Sequence, residues 1–132
     1  MRLISIVFIL FLCMCGCNHT YTEKDFANSK WTDSNGALIR LYKNGTCCVR
    51  DIKWDLIYPP SWVDDSLWKR KHPQSFVGHW TIKQNRQDEQ EITIQIGVSG
   101  YGFSFEIKNT NTMEHIVGDP DDCKYYKFTR MR

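Results

Sequence analysis

The sequence predicts an all-β domain. It is an antiparallel up-and-down meander of about eight strands, forming a barrel or a strongly curled sheet, with a short N-terminal helix and one long loop. Two observations carry this. Ile92, Ile94 and Ile96 alternate with Glu91, Thr93 and Gln95, and a two-residue period places one set of side chains on a single strand face. Turn chemistry recurs between such runs, at Asn35-Gly36, Asn44-Gly45, Gly97-Val98-Ser99-Gly100 and Asn109-Thr110-Asn111, so the connections are mostly tight. Aromatic residues make up 14% of the chain, enough to build a core for such a domain.

Ahead of that domain stands MRLISIVFILFLCMCGC. One cation, Arg2, precedes an apolar run from Leu3 to Leu12, and small residues follow, as in a secretory signal. The run is shorter than the ~20 apolar residues that span a bilayer, so residues 1–16 are expected to be a cleaved export signal. Gly16-Cys17, followed at once by polar Asn18, His19 and Thr20, resembles the lipobox of bacterial lipoproteins. The resemblance implies that Cys17 carries fatty acyl chains on its thiol and on its new amino group, and that 17–21 is a lipidated tether. Cys15 is the rival, with Leu12 at the family's preferred place, whereas Cys17 has Met14 there. Gly16, smaller than Met14 at the cleavage edge, favours Cys17. Each buried methylene contributes ~0.8 kcal/mol, so several chains hold firmly where one holds only marginally. In Gram-negative relatives an Asp after the cysteine signals inner-membrane retention; Asn18 stands there, which points to the outer membrane.

The remaining part, 22–132, reads as a single domain. Thr22 caps a short helix with Glu23 and Asp25 in its first turn, where the helix dipole favours anions, and Phe26 as its apolar contact. Trp31 opens the first strand, Asp33-Ser34-Asn35-Gly36 turns, and Ala37 to Tyr42 is the second strand. Lys43-Asn44-Gly45 turns again into a third strand, Thr46 to Ile52, with Cys47 and Val49 on one face and Cys48 and Arg50 on the other.

Residues 53–74 break the rhythm with Trp54, Pro59, Pro60, Trp62, Trp68, the cations Lys69-Arg70-Lys71 and His72-Pro73. This is a long excursion packed over one end of the β structure, with Ser61 as a cap for one or two helical turns through Leu67 and Trp68. Long loops within compact domains are often functional. Trp62 and Trp68 are therefore the candidate binding residues, the alternative being a lid that plugs the core. The meander then resumes with Phe76, Gly78, Trp80 and Ile82 on one face. The isoleucine strand follows, and after it Tyr101, Phe103, Phe105 and Ile107. Met113 to Val117, the loop Gly118-Asp119-Pro120-Asp121-Asp122, and Tyr125 to Arg130 complete it.

Lys30-Trp31 through Leu41-Tyr42-Lys43-Asn44-Gly45-Thr46, the later Gly78-His79-Trp80, and Gly118-Asp119-Pro120-Asp121 with Tyr125-Tyr126-Lys127-Phe128 resemble the small lipocalin-like domains of many bacterial lipoproteins. The resemblance implies an eight-stranded barrel whose mouth holds a small apolar ligand, an inference that rests on fold analogy.

No catalytic constellation stands out. Gly97-Val98-Ser99-Gly100-Tyr101 has tyrosine where the hydrolase elbow needs glycine, and it joins two strands rather than a strand and a helix. His19, His72, His79 and His115 are scattered. Asp119, Asp121 and Asp122 around Pro120 read as a rigid turn rather than a calcium loop, which needs ~6–8 oxygens. Cys47, Cys48 and Cys123 match no zinc spacing; they admit one disulfide from Cys123 to Cys47 or Cys48, or three reduced thiols. The sequons Asn18-His19-Thr20 and Asn44-Gly45-Thr46 matter only in a eukaryotic secretory route. The net charge is +2, or +1 once Arg2 leaves, and Lys69-Arg70-Lys71 reads as a solvated corner, so no nucleic-acid partner is expected. These readings converge on a non-catalytic, membrane-tethered binding module without metal or cofactor. Its partner is a small apolar ligand or an envelope component. An inhibitor or immunity-type protein using the Trp-rich loop is the alternative.

Overall fold

The computed structural model describes residues 19–58, 74–97 and 101–132 of the chain, Tyr101 by its backbone only. The expected signal at 1–16, Cys17, Trp62, Trp68 and the Lys69-Arg70-Lys71 run lie outside the described residues. Eight antiparallel strands form a closed barrel in chain order: β1 (Ser29–Thr32), β2 (Leu38–Leu41), β3 (Thr46–Arg50), β4 (Phe76–Gln84), β5 (Gln90–Ile96), β6 (Tyr101–Asn109), β7 (Thr112–Ile116) and β8 (Tyr125–Arg130). The up-and-down barrel predicted from alternation and turns, lipocalin-like as the resemblance implies, is therefore the fold. Closure is made by β1 on β8, where Trp31 faces Arg130 and Thr32 faces Thr129.

Each strand puts its apolar set inward. Trp31, Ile39, Leu41, Cys47, Ile92, Ile94, Phe105, Met113 and Phe128 are all fully buried. Two strands approach closely enough to require glycine. A Cβ on Gly78 would lie 2.2 Å from the Gln95 carbonyl oxygen, and one on Gly102 2.7 Å from that of Ile94. Glycine within a strand marks such backbone approaches, and here it lets β4, β5 and β6 curl tightly.

Helix α1 (Glu23–Phe26) closes one end. The Asp25 carboxylate reaches back to the Thr22 N–H at 2.8 Å, so the cap is made by the carboxylate rather than by the threonine hydroxyl alone. Phe26 stacks on Trp31 with ring centroids 5.8 Å apart, and the Arg130 guanidinium lies 5.9 Å from the Trp31 ring. The Trp31 indole N–H donates to the Ser29 hydroxyl, which donates in turn to the Phe26 carbonyl, so the polar groups buried here are satisfied. Tyr21 is held by Gln90 through two hydrogen bonds, from its own N–H to the side-chain oxygen and from the side-chain NH2 to its carbonyl.

The β1–β2, β3–β4 and β7–β8 connections lie at the opposite end. The first part of the expected excursion is not loop: Trp54–Ile57 forms a short helix, α2, with Trp54 and Ile57 buried. The strand expected at Met113 to Val117 is Thr112–Ile116, and its pairing with β6 carries an irregularity between Ile107 and Asn109. The Asp119 carboxylate accepts the Asp121 N–H at 3.0 Å and begins a 3-10 turn, Pro120–Asp122. That is the rigid turn expected of this loop. Cys47, Cys48 and Cys123 are free thiols, so the disulfide left open by the sequence is not formed. Cys47 points into the barrel near the α1 end, Cys48 points outward, and Cys123 sits on the opposite end before β8.

Candidate functional site

At the end away from α1, the described root of the β3–β4 connection stands on an aromatic platform. Trp54 stacks on Phe76 at 5.9 Å and meets Phe103 edge-on at 5.4 Å, while Phe103 meets Phe105 edge-on at 5.6 Å. Such pairs contribute ~0.5–1.5 kcal/mol each beyond area burial. The Tyr58 hydroxyl donates to the Gly102 carbonyl, tying the connection to β6. Burial pushes the Tyr58 hydroxyl above its ordinary pKa, so it remains a donor. Trp54, grouped by sequence with the loop tryptophans, is thus buried in the platform at the described start of the β3–β4 connection. Trp62 and Trp68 lie outside the described residues.

Two polar devices hold this end. The Asp33 carboxylate accepts the Asn35 and Ala37 N–H groups, each at 2.8 Å, and the Tyr126 hydroxyl at 3.0 Å. The Tyr126 oxygen accepts the Lys53 N–H at 3.2 Å. Burial acts to raise the Asp33 pKa, but these hydrogen bonds together outweigh it and hold the carboxyl below its usual value. Burial pushes the Tyr126 hydroxyl far up, and the neighbouring Asp33 adds to that. The second device is His115, whose Nδ1 lies 2.8 Å from the Ser104 carbonyl oxygen and whose Nε2 lies 3.2 Å from that of Ile57. The β6–β7 ladder ends at Glu106 opposite Glu114, so this imidazole engages a carbonyl that β7 leaves unpaired. His79, by contrast, is exposed on the outer wall. The two strand histidines therefore do not come together, and among the described residues no group of three or more His, Cys, Asp or Glu is placed to hold a metal ion.

The sequence reading passed over one further constellation, on the outer wall of β2 and β3. Leu38, Arg40, Tyr42, Cys48 and Arg50 line a groove of about 280 Å³. Arg40 opposes Cys48 and Leu38 opposes Arg50 across the two strands. The signal was present in the alternation itself, since these five are among the positions that point away from a buried Ile39, Leu41, Cys47 and Val49.

Comparison with known protein families, curated proteins and solved structures finds no match to this chain.

Proposed function

We propose that this chain is a lipid-tethered, non-catalytic binding module of the bacterial envelope that engages its partner with the outside of the barrel. The observation that carries the surface reading is the burial of the inward side chains: among the described residues Trp31, Phe105, Phe128, Ile92, Ile94 and Met113 each have 0% exposure. A close-packed interior admits a small apolar ligand only by displacing side chains, which costs several kcal/mol. Of the two targets the sequence suggests, a small apolar ligand and an envelope partner, the second is favoured. Orientation supports the same reading. Tyr21 is pinned at the α1 end, so a tether arriving through residues 17–20 reaches the barrel there. The described start of the β3–β4 connection, α2, then faces away from the membrane.

The alternative, an inhibitor or immunity-type protein, draws on the aromatic platform of Trp54, Phe76 and Phe103 at the described start of the Trp-rich β3–β4 connection. Aromatic anchors dominate protein interfaces. The tether is tested by the intact mass of the mature protein from a bacterial host, alone and as Cys17→Ser. Acyl chains present in the first and lost in the second are expected, and an unmodified mass in the first overturns the anchor. The surface reading is tested by native mass spectrometry. A small hydrophobic molecule retained stoichiometrically in the barrel would overturn it.

A further inference from the structure

Arg40 and Arg50 stand on the same outer face of adjacent strands as diagonal neighbours, and among the described residues neither has a carboxylate partner. Like charges so placed on a sheet repel. Arg40 is half-buried, and its Nε–H is the one buried side-chain polar atom among the described residues that lacks a hydrogen-bond partner. Its guanidinium lies 5.9 Å from the Tyr42 ring centroid, which orients the plane without satisfying the donor. The Tyr42 hydroxyl lies 3.9 Å from the Cys48 sulfur at the floor of the groove. The other charged hollow, bordered by Glu91, Glu106 and Glu114, is different in kind, because Lys108 and Lys127 already pair with Glu106 and Glu114.

An orphan donor, two uncompensated guanidinium groups and a concave wall are complementary to a doubly charged oxyanion, which arginine binds in bidentate fashion. Leu38 and the Tyr42 ring add apolar surface beside it. A volume of about 280 Å³ suits a small group rather than a large ligand. We propose that the β2–β3 groove is a binding site for a terminal phosphate monoester carried on a small apolar body, with the guanidinium groups of Arg40 and Arg50 as its donors. A soluble phosphate ester and a phosphate lipid headgroup share this chemistry. The site lies on the β2–β3 wall, apart from the aromatic platform at the barrel end, and its test does not depend on the partner reading.

The test follows the Arg40 Nε–H resonance by NMR, with the full chain in neutral maltoside micelles at constant ionic strength. The additions are inorganic phosphate, phosphatidic acid, or phosphatidylcholine as the diester control, with chloride as the ionic control. A saturable shift with inorganic phosphate supports a soluble source, and one seen only with phosphatidic acid supports a headgroup source. Arg50→Gln, an exposed substitution that leaves the core untouched, is expected to weaken either response about tenfold, since it removes a charge-assisted contact. Arg40→Lys keeps the charge but lacks the Nε–H, and is expected to weaken binding similarly when followed through the Tyr42 ring signals. No saturable shift with either phosphate, the same shift with chloride or phosphatidylcholine, or a response unchanged in Arg50→Gln would overturn the site.

Discussion

The Tyr126 hydroxyl donates to Asp33 Oδ2 at 3.0 Å, joining positions 93 apart in the chain. It closes the barrel near the β1–β8 seam in a way the short seam ladder does not, because that ladder pairs only Trp31 with Arg130 and Thr32 with Thr129. The same oxygen accepts the Lys53 N–H, so one buried phenol fastens the β1–β2 turn, β8 and the start of α2. Tyr126→Phe keeps the ring packing and removes both bonds. It is expected to destabilise the fold by about 1–3 kcal/mol, because a buried carboxylate oxygen and a backbone N–H lose their partners. Urea unfolding measures this, and an unchanged midpoint would mean that the network contributes nothing.

The Asp33 carboxyl has a lower pKa folded than unfolded, so protons bind the unfolded chain more readily. Its stabilising contribution is therefore complete above the ordinary carboxylate value of about 3.9 and is lost as pH falls through the lowered folded value. Stability measured from pH 6 down to pH 2 should fall more steeply in the natural chain than in Asp33→Asn, with the difference confined to the acid limb. Parallel curves would remove Asp33 from the acid response.

Cys47 is buried, and burial pushes its thiol up to about 12. Cys123 is exposed and Cys48 is half-buried on the outer wall. Alkylation at pH 8, mapped by peptide mass, is expected to label Cys123 first and Cys48 more slowly. Cys47 should react only as the barrel unfolds, since the thiolate is the reacting form. Fast labelling of Cys47 in the native protein would show that β3 opens at the α1 end.

Gly78→Ala would drive a methyl group into the Gln95 carbonyl oxygen, 2.2 Å from the ideal Cβ position. The contact is backbone against backbone, so no side-chain rotation relieves it, and a loss of about 3 kcal/mol is expected. Gly36→Ala is the contrast: it has open space but a φ of +89°, so it should cost only about 1–2 kcal/mol. Equal thermal shifts in the two variants would contradict the close approach.

His115→Ala removes the group facing the Ser104 and Ile57 carbonyls. Loss of about 1–2 kcal/mol is expected. Faster hydrogen exchange should be concentrated in residues 54–58, because the Ile57 contact is what joins α2 to β7. Uniform exchange changes across the barrel would point to lost packing instead.

Much of this was legible in the chain as written. The inward faces of β4, β5 and β6 could be read from Phe76 to Ile82, Ile92 to Ile96 and Phe103 to Ile107, because side-chain alternation is a property of each strand alone. The turn at Gly45 was legible for the same reason: a φ of +82° is written into Asn44-Gly45. The burial of Trp54 was not legible, because an aromatic residue beside Pro59, Pro60 and charged residues carries no periodicity, and that burial depends on Phe76 and Phe103 arriving from other strands. Arg40 and Arg50 read as ordinary outward positions until strand register put them on one groove.

The sequence by itself determined the strands, their inner faces and the tight turns, since these follow from local periodicity and backbone preference. Only the tertiary structure decided the β1–β8 closure, the Asp33–Tyr126–Lys53 network and the pairing of two arginines around one hollow. Those depend on which strand lies beside which and in what register, and register is set by the whole packed barrel rather than by any single segment.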